Sequence, residues 1–309
     1  MHASKYSLLI TLALAIPAAA SAEDQPGPTL QITEDAATVS IAAAERPVLH
    51  YQRTMKPSRP FVRELFTPSG LNVVHDAPSD HIYHHALMCA VYVDGIDFWS
   101  EKKTCGRQVP VALDIAAIKS CERGCRAGFT QNIEWIAPNG DKRLVESRTI
   151  EVVQLKGIDV PVVNWRMRME TPAGKEKVTL SGAHYSGVGI RFVKSMHKIG
   201  THFNADNKLG VLVRGDEHVT PTKWTAYTAP IDGKMVTVAM FDHPNNDYKA
   251  HFFTMSKPFS YMSATLNVWK EPVDILADKP LNLTYAVVAW DGETSREEIE
   301  AVYQQWIKL

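Results

Sequence analysis

Trp224-Thr225-Ala226-Tyr227-Thr228-Ala229-Pro230-Ile231-Asp232-Gly233-Lys234-Met235-Val236-Thr237-Val238-Ala239-Met240-Phe241 reads as two strands joined by a two-residue turn. Asp-Gly supplies the pair of positive φ angles that a type I′ turn needs, and β-branched and aromatic residues dominate the flanks. The same signature recurs outward in both directions: Ala90 to Val93 turning at Asp94-Gly95, Phe129 to Ile136 turning at Pro138-Asn139-Gly140, Val160 to Met169, Ile190 to Lys194, Tyr261 to Trp269 and Leu281 to Trp290. Short period-two runs at near-regular spacing predict an all-β chain, a large antiparallel β-sandwich, rather than a parallel sheet wrapped by helices. A C-terminal helix is signalled by the Ser295/Glu298 capping box, with Ile299, Val302, Tyr303 and Trp306 on one packing face.

Residues 1–22 read as a signal peptide: Lys5 precedes an apolar run from Leu8 to Ala15, and Ala20-Ser21-Ala22 offers small residues for cleavage. The apolar run is shorter than the roughly 20 residues a membrane span requires. The expected organisation is a leader (1–22), a lead-in segment (23–44) and one sandwich domain (45–309), located in the periplasm or secreted. Lys and Arg total 33 against 34 Asp and Glu, with no basic run. That balance argues against a nucleic-acid partner and against a charged membrane surface. Four cysteines are too few for a disulfide scaffold of this length. Glu122-Arg123-Gly124 reads as a three-residue hairpin loop facing Cys121 toward Cys125, which leaves a disulfide there open. Cys89 and Cys105 are too far apart in sequence to make the second close pair of a four-thiolate zinc site.

The candidate site is Asp80-His81-Ile82-Tyr83-His84-His85 with Asp97-Phe98-Trp99-Ser100-Glu101. Imidazoles, carboxylates and ring faces are the groups that proton transfer and sugar stacking require. Counting outward from the Asp94-Gly95 turn sets Val93 against Ile96, Ala90 against Trp99 and Met88 against Glu101. One face then carries His84, Tyr92, Asp97, Trp99 and Glu101. The other, with His85, Leu87, Cys89, Val91, Val93, Ile96 and Phe98, goes to the core. Ser79 or Asp80 is expected to cap a helical turn aligning His81, His84 and His85. A divalent metal at His81/His84 is the minority alternative to a cofactor-free site, since His-x-x-His alone lacks a third ligand. Glu146, Arg148 and Arg143 read mainly as a solvated strand face, and Trp135, Trp165, Trp269 and Trp290 as core. His197, His202 and His218 carry no assignment, and His251 is a candidate distant ligand.

Arg59-Pro60-Phe61, Thr67-Pro68-Ser69-Gly70, Asp80-His81 with His84-His85, Phe98-Trp99-Ser100-Glu101, Gly189-Ile190-Arg191 and Phe241-Asp242-His243-Pro244-Asn245-Asn246 together resemble the PmoA-like family of exported bacterial proteins, from about Val48 to Trp306. That family's "methane oxygenase" label implies a multi-helix membrane copper protein, which this composition does not fit. The resemblance implies instead a β-sandwich distantly similar to the galactose-mutarotase-like supersandwich, in which sugars lie on a concave sheet lined by histidines and acids. It adds Asp242 and His243, at the mouth of a loop, as a second acid/base pair, and Arg191 after the glycine-rich segment 182–189. The resulting expectation is a carbohydrate-active protein whose partner is a saccharide or glycoside: a hydrolase, lyase or epimerase with His84, Glu101, Asp242 and His243 as catalytic groups. His81, His85, Tyr92, Trp99 and Arg191 would bind substrate, and His84, Trp99, Glu101 and His243 would line one pocket. A non-catalytic glycan-binding module is the alternative, and a histidine-ligated metal oxygenase the third reading.

Overall fold

A computed structural model describes residues 29–121 and 124–309, with only the backbone of residues 120 and 121. The leader expected at 1–22 lies outside the described residues. So does the side-chain relation of Cys121 to Cys125, though in the backbone register Ser120 stands opposite Cys125 and Cys121 opposite Gly124. Cys89 and Cys105 are free thiols.

The hairpin around Asp232-Gly233 forms as its turn chemistry dictates, with pairs running from Ile231↔Lys234 to Trp224↔Phe241. Asp232 and Gly233 sit at φ 49° and 80°. The hairpin is built into an eight-stranded sheet in the order Thr201–Asn204, Trp224–Ile231, Lys234–Asp242, Leu281–Asp291, Val162–Glu170, Lys142–Leu155, Gly124–Ile136, Arg107–Cys121. A ten-stranded sheet runs Leu30–Glu34, Thr38–Ala43, Arg46–Gln52, Phe61–Leu65, Leu87–Ala90, Gly187–Arg191, Tyr261–Thr265, His251–Met255, Glu217–Pro221, Val211–Arg214. Val273–Leu276, Lys177–Ser181, Tyr92–Val93 and Ile96–Asp97 form a small four-stranded sheet. Neighbouring strands pair antiparallel, so the fold is an antiparallel β-sandwich with a C-terminal helix. Within the segment 23–44, Leu30–Glu34 and Thr38–Ala43 form strands at the edge of the larger sheet, with Leu30, Val39 and Ile41 buried.

Alternation along the strands sorts side chains between two apolar clusters. Tyr227, Val236, Val238, Met240 and Val287 face the main core, while Trp224, Ala226, Phe241, Ala286 and Val288 face the helix Arg296–Trp306. Ser295 caps that helix and closes a capping box with Glu298, and Ile299, Val302, Tyr303 and Trp306 are buried, as the spacing predicts. Trp135 and Trp165 are core; Trp269 and Trp290 are only partly buried.

Glu146 and Arg148 overturn the expectation of a solvated face, because both are fully buried. Arg148 donates from Nε to Glu146 Oε1 (2.7 Å) and from Nη2 to Oε2 (2.8 Å). Its remaining donors reach the Pro60 carbonyl (3.0 Å) and Gln108 Oε1 (3.0 Å), and Trp135 Nε1 donates to Glu146 at 2.9 Å. Gln108 in turn donates to the Cys89 carbonyl at 2.7 Å. The pair thus ties the eight-stranded sheet to the ten-stranded sheet with its hydrogen-bonding groups matched. Removing one partner strands a buried charge, so Arg148→Met is expected to cost about 3–5 kcal/mol of unfolding free energy. Chemical denaturation checks this; a loss under about 1 kcal/mol, ordinary for an exposed pair, would contradict it.

Candidate functional site

The histidine-rich segment divides because the backbone reverses within it. Successive turns, with His81 N–H bonded to the Pro78 carbonyl and His84 N–H to the His81 carbonyl (both 2.9 Å), replace the expected helical turn. Ala86 then takes φ 43°, which breaks the alternation on which the face count relied. The Asp94-Gly95 hairpin pairs Val93↔Ile96 and Tyr92↔Asp97 as counted, and there it ends. Leu87–Ala90 is buried throughout and pairs instead with Gly187–Arg191, so Ala90 faces Gly187 and Met88 faces Gly189. Trp99 and Glu101 therefore leave on a loop. Asp97 Oδ1 accepts from the N–H groups of Trp99 (2.6 Å) and Ser100 (3.1 Å), and Arg59 Nη2 donates to the Trp99 carbonyl at 2.6 Å.

His81, His84 and Trp99 wall one cleft of about 350 Å³. Tyr83, Tyr185, Phe253, Phe259 and Tyr261 supply its other rings, and Arg214 and Glu217 its charges. The His81 and His84 rings stack at 4.7 Å, and Trp99 lies 4.9 Å from Tyr185 and 5.7 Å from His84. Gly189 is required beneath this wall, since a Cβ there would fall 1.7 Å from the Tyr261 hydroxyl. That hydroxyl has no hydrogen-bond partner among the described residues, and burial pushes its titration up.

Two ionic assemblies support the cleft, one behind its wall and one on it. Arg191, itself buried and stacked 3.6 Å from the Phe259 ring, holds Asp80 with Nη2 at 2.9 and 2.6 Å from its two oxygens. Burial alone would raise the Asp80 carboxyl, but the hydrogen bonds from Arg191 and His81 hold it well below the usual carboxylate range. Asp80 Oδ2 lies 3.0 Å from His81 Nδ1, which fixes that tautomer and leaves Nε2 for a ligand. Opposite in character is Glu217. Its Oε2 accepts from His184 Nε2 at 2.7 Å and from Arg214 Nε at 2.8 Å, while its Oε1 has no partner among the described residues. His84 lies under His81 with Arg191 Nη1 at 3.5 Å from its Nδ1. Burial, then His81 and Arg191, push its titration down to about 3, so it stays neutral.

The expected partnership of His84 with Glu101 is not formed. His85 takes Glu101 instead, donating from Nε2 at 2.8 Å and from Nδ1 to Asp76 at 2.7 Å. Burial opposes charge on His85, yet the bonds to Asp76 and Glu101 outweigh it and raise its titration. Asp242 and His243 are also apart from the cleft. Asp242 is buried, accepting from Asn246 Nδ2 (2.7 Å) and Ala250 N–H (3.1 Å), and burial raises its carboxyl. His243 packs edge-on to Trp306 at 5.1 Å, beside the C-terminal helix. Tyr92 is half-buried in the small sheet between Asp97 and Ser181, and Arg191 acts beneath the cleft rather than on its wall. His197, His202 and His218 bond to the carbonyls of Phe192, Met255 and Asp216. His251 is half-buried with Nδ1 unpartnered among the described residues, and no three His, Cys, Asp or Glu side chains there converge as metal ligands.

Fold and cleft together define an antiparallel β-sandwich protein with an aromatic, acid/base-bearing cleft. The chain belongs to DUF6807, a family of unknown function, whose model matches residues 38–304. No curated protein matches it. Among solved structures it is similar to the alpha-galactosidase of Lactobacillus brevis, at 8% identity and TM-score 0.47 over 90% of this chain and 42% of that one. The GH36 alpha-galactosidase AgaB of Geobacillus stearothermophilus gives 10% identity and TM-score 0.46 over 86% and 41%. A variant of AgaA from the same organism, in complex with raffinose, gives 10% and 0.43 over 85% and 41%. The chain thus spans about two-fifths of the length of these neighbours. Among the described residues, no helix is long and apolar enough to cross a membrane.

The neutral burial of His84 has a measurable consequence. Its folded-state titration lies below the unfolded value near 6.5, so the unfolded chain binds the extra proton and stability falls as pH drops from about 6.5 toward 3. His85, raised in the fold, contributes no slope below about 6.5, where both states hold its proton. Between pH 6 and 4.5, His84→Asn is expected to flatten the stability curve by about 1.4 kcal/mol per pH unit, read by urea titration. Parallel curves for the two proteins would contradict the assignment.

Proposed function

We propose that the chain is a carbohydrate-active enzyme that moves protons on a saccharide held in the aromatic cleft. The observation that carries this reading is the presence on one cleft of two anchored groups with atoms unengaged among the described residues: Glu217 at Oε1, and His81 at Nε2 with Asp80 behind it. Tyr185, half-buried on the cleft wall, offers a ring against which a pyranose stacks, with the buried Trp99 packed 4.9 Å from it. Glu217 serves as base toward a ring hydroxyl or acidic C–H, and His81, once protonated, as the acid that returns a proton; Asp80 stabilises the imidazolium. His84 is a neutral hydrogen-bonding and packing partner, which transfers the catalytic role expected of it to His81.

Paired-carboxylate hydrolysis fits less well, because Glu217 is the one carboxylate among the described cleft-lining residues. One carboxylate and one imidazole on the same cleft suit epimerase- or lyase-type proton transfer. The many rings of the wall favour a second reading, a glycan-binding module that stacks sugars without turning them over. Export to a periplasmic or extracellular space belongs to the same proposal and rests on residues 1–22 and the PmoA-like resemblance.

The test is turnover on a panel of aldoses and uronate-containing oligosaccharides, followed by proton exchange and unsaturated-product absorbance, with and without chelator. Glu217→Gln and His81→Asn are each expected to lower kcat by roughly 100- to 10,000-fold while leaving binding detectable. Trp99→Ala is expected to weaken binding by about 0.5–1.5 kcal/mol beyond its lost area. Saturable binding without product would favour the module, and turnover unaffected by both acid/base variants would sink the enzyme reading.

A further inference from the structure

The segments that wall the aromatic cleft have a second side. Ile82 turns away from His81 and Tyr83, and Glu101, Lys102 and Lys103 continue the loop away from Trp99; with Ser58 and Arg107 they line a separate cleft of about 380 Å³. Its floor is polar but internally compensated. Glu101 Oε1 accepts from Ser58 Oγ at 2.6 Å and from His85 Nε2 at 2.8 Å, with Arg59 Nη2 at 4.0 Å. Burial would raise this carboxyl, yet the bonds from His85 and Ser58 keep it lowered and therefore charged and satisfied.

The rim is different. Lys102, Lys103 and Arg107 are exposed, and among the described residues none has a side-chain hydrogen bond or ion pair. A single exposed lysine is ordinary. Three unpaired cations around one concavity, whose lining carboxylate is already engaged by Ser58 and His85, create a positive field that low-dielectric walls focus. Ile82, 61% exposed, adds an apolar surface on the ridge between the two clefts. We propose that this second cleft binds the anionic substituents, carboxylate or sulfate, of an acidic saccharide. Anion capture needs no chemistry in the aromatic cleft, but a saccharide as the carrier rests on the carbohydrate reading above.

Calorimetric titration of the full chain with oligogalacturonate, sulfated dextran oligosaccharide, neutral dextran oligosaccharide and sodium sulfate tests it. The variants are Lys102→Gln/Lys103→Gln/Arg107→Gln together and, separately, Lys234→Gln, an exposed lysine outside both clefts, with thermal melts verifying that each folds. The acidic oligosaccharides are expected to bind more weakly as salt rises, to lose roughly ten-fold in affinity in the triple variant, and to keep their affinity in Lys234→Gln. Acidic-saccharide binding that is absent, or indifferent to the triple variant, would overturn the site. Sodium sulfate binding as tightly per anion as the sulfated oligosaccharide would overturn the saccharide as carrier. Failure of the proton-transfer reading shows separately, as absent turnover with this binding intact.

Discussion

The buried Arg148–Glu146 pair is the constraint on which the rest of the arrangement depends. An arginine with no solvent exposure must spend its donors inside the protein, and here they are divided between one carboxylate, a glutamine and the Pro60 carbonyl. Such a pair contributes little net stability over a well-packed apolar substitute, but it penalises any packing of the two sheets that leaves a donor unmatched. It therefore selects one mutual placement of the sheets.

That placement reaches the cleft through a short covalent step. Pro60 follows Arg59, whose guanidinium is also fully buried and donates to the Trp99 carbonyl (2.6 Å), to Ser58 Oγ (3.0 Å) and toward Met88 Sδ (3.2 Å). The loop bearing Trp99 and Glu101 is consequently docked by backbone and side-chain bonds to a segment that the core ion pair has already fixed. Trp99 is delivered to one side and Glu101 to the other, so one loop serves two clefts of different chemistry. Asp80, on its own turn, is fixed from another direction by Arg191, a residue of the ten-stranded sheet. These bonds hold Trp99 and, through Asp80, His81 in place before any ligand arrives.

What was legible in the sequence was local. The Asp232-Gly233 turn dictated its hairpin register to the last pair, and Ser295 with Glu298 dictated the start of the helix. Trp99, His81 and His84 were recognisable as a group because they lie within a short stretch. The hairpin count failed beyond Tyr92↔Asp97 because Leu87–Ala90 is claimed by another sheet, a non-local pairing for which no turn gives notice. Ala86 at φ 43° is likewise invisible to a pattern of alternation. Glu217 escaped notice because its partner His184 is far away in the chain and nothing in Arg214-Gly215-Asp216-Glu217-His218 differs from an ordinary turn. Glu146 and Arg148 read as solvated because charge normally means exposure; only the pairing made their burial tolerable.

Saccharide binding in the aromatic cleft lined by Trp99, His81 and Glu217 is tested most directly by a crystal structure of the chain grown with a saccharide that binds it in solution. A sugar ring is expected against Tyr185 and Trp99, with a hydroxyl about 3 Å from Glu217 Oε1. A sugar seated instead beside Asp242 and His243, with the aromatic cleft unchanged, would contradict it.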